Sequence, residues 1–131
     1  MGLDNGIEVK RTPTSEVIAE LEQFKQNWDK NNTLPYEFAY FRKCWNVRGA
    51  IIDSIEGGFN DNGETKLTKE DVRRIIVALK AFNADNWDNG LGSIWDWEDQ
   101  EPHIQRYIGN LELLIELMEH NDLDVVFYDS Y

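Results

Sequence analysis

Between Ile104 and Met118 the sequence sets Ile104, Tyr107, Ile108, Leu111, Leu114, Ile115 and Met118 at helical spacing, with Leu113 and Leu117 widening the apolar face. A helix apolar over so broad an arc is not a surface helix; it needs neighbours on several sides. The stretch is broken by Glu112 and Glu116 and falls far short of about 20 apolar residues, so it is not a membrane span. It reads as the central helix of a packed domain, running from near Pro102 to about His120 and ended by Asn121-Asp122. The 131 residues are enough to bury roughly two thirds of the surface an unfolded chain exposes. Five Trp, five Tyr and six Phe supply the apolar area that a disordered chain lacks.

Three more helices are predicted. Thr12-Pro13 has the chemistry of an N-cap followed by proline at the first helical position, and Val17, Ile18, Leu21 and Phe24 continue at helical spacing towards Trp28. A second helix runs from about Pro35 to Ile55, with Phe38, Phe41, Trp45, Ile52 and Ile55 as its buried stripe and Arg48 in the same stripe. The third starts at Thr68, whose spacing to Asp71 is that of a capping box, and carries Val72, Ile75, Ile76, Leu79 and Phe82 on one face. Gly57 to Gly63 and Asn83 to Gly92 read as loops. Short strands are expected only at the ends, over Gly6–Arg11 and Val125–Tyr128, and pairing them would protect each edge. The fold class expected is a single α+β domain over 1–131, mostly α, of about four helices with a two-stranded sheet from the terminal strands.

Charge is distributed unevenly. Residues 1–80 hold 13 acidic and 12 basic side chains, whereas residues 81–131 hold 12 acidic side chains and only Arg106. Such a block repels nucleic acid and anionic lipid and attracts basic surfaces. Within it, Trp95, Asp96, Trp97, Glu98, Asp99 and Glu101 form an aromatic-acidic run, and tryptophans in loops can anchor interfaces or lie over a core. Glu112, Glu116 and Glu119 form an acidic stripe on the last helix, spaced not far from backbone phosphates. The pattern suits a docking face for a basic protein, including a nucleic-acid mimic, and equally a solvated helix face.

Arg48 is the least ordinary residue of the first half, because a guanidinium on an apolar seam must be paired. A carboxylate of the Trp95 to Glu101 segment would make a structural ion pair. A bound anion is the other partner, with Arg42 or Lys43 assisting and Trp45 stacking. Catalysis is not indicated: Cys44 lacks an evident base, since His103 and His120 lie at opposite ends of the last helix. The residues Asp85, Trp87, Asn89, Gly90 and Asp96 only partly match a calcium loop, and no histidine or cysteine pair has zinc spacing. No metal or cofactor is expected. One cysteine forms no intrachain disulfide, and the start Met1-Gly2-Leu3-Asp4 shows neither a secretory leader nor, with Gly6 at the required Ser or Thr, a myristoylation signal. A cytoplasmic setting is expected.

The opening Met1-Gly2-Leu3-Asp4-Asn5-Gly6-Ile7, the central Tyr40-Phe41-Arg42-Lys43-Cys44-Trp45 and the closing Val126-Phe127-Tyr128-Asp129-Ser130-Tyr131 resemble a group of small uncharacterised proteins of bacteriophages and bacteria. The similarity spans nearly the whole chain. It implies an accessory intracellular protein rather than a metabolic enzyme, and brings no functional residue with it. The expectation is a non-enzymatic binding protein whose acidic C-terminal half engages a basic protein partner. An anion- or small-molecule-binding domain centred on Arg48 and Trp45 is the alternative.

Overall fold

The computed structural model describes residues 4–9, 36–42, 44–60, 63–87, 96–120 and 123–130. The helix expected from Pro13 towards Trp28 lies outside them, as do Lys43 and Trp95. Within them the order is β1 (Asp4–Val9), β2 (Tyr36–Arg42), α1 (Trp45–Ser54), β3 (Glu64–Lys66), α2 (Lys69–Lys80), α3 (Trp97–His120) and β4 (Val125–Ser130). The four strands form one antiparallel sheet in the order β2-β1-β4-β3. The expected fold class is thereby corrected. Among the described residues there are three helices and a four-stranded sheet, not about four helices on a two-stranded one. β1 and β4 pair from Asp4↔Ser130 to Val9↔Val125, but as the middle of the sheet, flanked by β2, assigned above to a helix, and by β3, assigned above to no element.

The misread strand has a physical explanation. Ile7 pairs with Ala39 and Glu8 with Glu37, so Phe38 is an extra residue on β2, a bulge in the ladder. The bulge lets Phe38, Ala39 and Phe41 all be buried. Two phenylalanines three residues apart imitate helical spacing, although a run of Tyr, Phe, Tyr and Phe is strand chemistry. Trp45, placed on the buried stripe by that reading, is instead 47% exposed on the first turn of α1. β3 escaped notice because Glu-Thr-Lys has no apolar residue and only three positions.

α2 begins as its sequence dictates. Asp71 N–H donates to the Thr68 hydroxyl (3.1 Å) and Thr68 N–H donates to the Asp71 carboxylate (3.0 Å), a reciprocal cap. Val72, Ile75, Ile76 and Leu79 are buried beneath it. α3 starts five residues before Pro102, which sits inside the helix where its ring replaces the N–H that would serve the Glu98 carbonyl. Asp99 and Gln100 N–H both donate to the Asp96 carbonyl at 3.1 Å, opening the helix earlier. α3 packs on β2, α2 on α3 and α1 on α2. The core side of the sheet is Ile7, Val9, Ala39, Phe41, Val125 and Phe127, and α3 adds Ile104, Leu111 and Leu114, all essentially inaccessible.

Candidate functional site

Arg48 reaches from α1 to the sheet. Its Nε donates to Asp129 Oδ1 at 2.8 Å and its Nη2 to Asp129 Oδ2 at 2.9 Å, a two-point fork. The Asp129 side chain is fully inaccessible and that of Arg48 only 14% exposed. The carboxylate thus comes from β4, not from the Trp95 to Glu101 segment. The guanidinium is also bracketed by rings, 5.2 Å from the centroid of Trp45 and 5.4 Å from that of Phe59. Arg42 is exposed on β2, and its carbonyl accepts a hydrogen bond from the Cys44 thiol at 3.3 Å. Cys44 itself is buried, the small core residue that a lone cysteine usually is. Asn5, opposite Asp129 in the sheet, is fully buried, and both polar atoms of its side chain lack hydrogen-bond partners.

The acidic half is organised by α3. With about 100° per residue, Glu98, Glu101, Glu112, Glu116 and Glu119 fall within an arc of about 60°, a line of about 30 Å along the helix. All five are exposed, and Gln105 and Gly109 continue the line between them. Asp99 projects from the other flank of the same helix. α2 borders the line on one side: Lys80 Nζ lies 3.2 Å from Glu112 and Arg73 Nη2 lies 3.0 Å from Glu119. Glu98, Glu101 and Glu116 have no ion-pair partner among the described residues. Trp97 is half-buried, with its ring centroid 5.5 Å from that of Trp87, so it packs at the core's margin. Asp129, counted with the acidic block by position, belongs to the buried pair instead. The part of the aromatic-acidic run from Trp97 to Glu101 and the stripe from Glu112 to Glu119 lie on one helix, with Asp96 just before it.

A third cluster was not foreseen. On the sheet face away from Ile7 and Phe127, Glu8 of β1 stands directly opposite Glu37 of β2. Tyr128 donates its hydroxyl to Glu37 Oε2 (3.0 Å) and Tyr40 donates to Asp4 Oδ1 (2.7 Å). Burial raises the Glu37 carboxyl above its ordinary range; Tyr128's hydrogen bond opposes this, and the charges of Glu8 and Asp4 add to it. Burial, together with the Asp4 carboxylate it bonds, pushes the Tyr40 hydroxyl up to about 12. Burial and the neighbouring Glu37 carboxylate raise that of Tyr128 as well. Gly6 lies beneath the Tyr128 ring, and a Cβ there would stand 2.9 Å from the ring and closer still to the Ala39 carbonyl. The alternation of Asp4, Gly6 and Glu8 along β1 was the available signal.

No set of three His, Cys, Asp or Glu side chains among the described residues is arranged to hold a metal ion. No helix among them is long and apolar enough to cross a membrane. Compared with protein-family models, curated proteins and solved structures, the chain finds no match in any of the three.

Proposed function

We propose that this chain is a non-enzymatic binding protein, an accessory protein of a phage or bacterial cytoplasm, that docks a basic protein surface through the acidic line of α3. The observation that carries this reading is the alignment of five exposed glutamates within about 60° of one helix face over about 30 Å. Scattered carboxylates would make a protein soluble equally well; carboxylates gathered on one helix face concentrate negative potential there. Glu98, Glu101 and Glu116 are the contact residues of the proposal. Glu112 and Glu119 are partly neutralised by Lys80 and Arg73, which weakens the nucleic-acid-mimic version, since a phosphate backbone is uniformly charged. Asp96, just before α3, and Asp99, on its other flank, are acidic neighbours of that end of the helix rather than part of the line.

The anion-binding alternative has less support. Both oxygens of Asp129 already occupy the fork of Arg48 that a carboxylate or phosphate would need. Arg42 and Arg48 are not joined in one basic site by any described contact.

An oligolysine peptide of eight residues serves as a probe of the docking face. Its affinity should fall steeply between low and high salt, and the triple variant E98Q/E101Q/E116Q should bind markedly more weakly with its fold intact. Equal affinities for the variant and the parent protein would end this reading.

A further inference from the structure

A cleft of about 600 Å³ opens between the loop after α1, the edge strand β3 and the start of α2. None of its lining residues lies on α3, and its volume is within the usual range of small-molecule sites. What it offers is set by the hydrogen-bond pattern of β3. Leu67 N–H donates to the Val125 carbonyl and Asp129 N–H donates to the Gly63 carbonyl, both at 2.8 Å. In an antiparallel pair the bonded residues alternate, so Gly63, Thr65 and Leu67 bond β4, and the N–H and C=O of Glu64 and Lys66 point away from it. The loop itself occupies the first of these positions: Asn60 Nδ2 donates to the Glu64 carbonyl at 2.6 Å, and Asn60 N–H donates to the Thr65 hydroxyl at 2.7 Å. Beyond Lys66 the edge is closed again, because Thr68 N–H is held by Asp71. Along the β3 edge, among the described residues, the backbone of Lys66 is the donor–acceptor pair left facing the cleft.

Apolar wall comes from Ile55 and Phe59. The Phe59 ring is held by the Arg48 guanidinium, which Asp129 fixes from inside the core, so the wall is preorganised. An extended peptide needs a ladder of edge groups, and among the described residues β3 offers one such pair. A small planar ring carrying adjacent N–H and C=O groups needs one pair and a flat apolar wall. We propose that the cleft is a binding site for planar cyclic amides of the nucleobase type, held by the Lys66 backbone and packed on Phe59.

Uracil is the probe, followed by backbone amide NMR shifts of the full chain. Titration to millimolar concentration should move the amides of Gly57, Gly58, Phe59 and Asn60, and 1,3-dimethyluracil, which has no N–H to give, should not. Lys66→Pro removes the backbone donor on the open side of an edge strand, where proline is tolerated, and should weaken binding about tenfold. Phe59→Leu removes the flat wall and should do so to a similar extent, about tenfold. The proposal is overturned if uracil moves none of these amides, if dimethyluracil binds as well, or if either variant binds like the parent protein.

Discussion

Arg48→Ala is the substitution whose cost the structure fixes most firmly. It removes both hydrogen bonds to Asp129 and leaves a carboxylate that is fully inaccessible without its counter-charge. Breaking a buried pair in this way costs about 3–5 kcal/mol. Loss of the ring contacts with Trp45 and Phe59 adds about 0.5–1 kcal/mol at a partly exposed site. Arg48→Met keeps the aliphatic stem's packing and should cost less than alanine while still orphaning Asp129. Replacing both partners, Arg48→Met with Asp129→Leu, removes the orphan and should recover most of the loss. Urea unfolding with linear extrapolation measures all four proteins on one scale. The reasoning is refuted if Arg48→Ala costs under about 1 kcal/mol, the range of a surface ion pair, or if the double variant is no more stable than Arg48→Ala.

Other substitutions test the remaining contacts. Burial would raise the Asp71 carboxyl, but Thr68 and Glu56 N–H, the Thr68 hydroxyl and Arg74 outweigh it and hold it below its ordinary range. A lowered carboxylate stabilises the fold above its unfolded pKa, and that stability goes as pH falls through the folded value. Asp71→Asn should therefore flatten the acid limb of stability against pH, and Thr68→Ala should cost about 1 kcal/mol in urea unfolding. Gly6→Ala should destabilise by at least about 1–3 kcal/mol, because the new methyl meets the Ala39 carbonyl and the Tyr128 ring; a neutral result in the same assay would show that the sheet gives way there. Glu112→Gln and Glu119→Gln each break a half-exposed pair with α2 and should shift stability by under about 1 kcal/mol in thermal melts.

How much of this was legible in the sequence depended on whether the signal was local. Thr68, Asp71 and the stripe from Val72 to Leu79 lie within one helix and specify α2 without reference to anything else. The wide apolar arc of α3 was equally plain, and only its start was misplaced, because Pro102 looks like a first-turn residue when it is one turn further in. β2 was lost to a bulge that set Phe38 and Phe41 at helical spacing, a feature that exists only once β1 is beside it. Arg48 was recognisable as a cation that needed a partner, but the partner lies 81 residues away. The period of two that buries Val125 and Phe127 also places Asp129 on the core side, so the signal was present in the last strand. The alignment of glutamates on α3 could be counted from sequence, whereas their pairing with Arg73 and Lys80 required knowing that α2 and α3 pack together.

Docking through the acidic line of α3 is tested most directly by mapping oligolysine on the protein residue by residue, with backbone amide shifts recorded during titration at low salt. The account predicts shifts concentrated along Glu98, Glu101, Gln105, Gly109 and Glu116, fading as salt is raised. Comparable shifts at the exposed acids elsewhere, Asp53, Glu64, Glu70 and Asp85, would contradict it and reduce the acidic line to one charged surface among several.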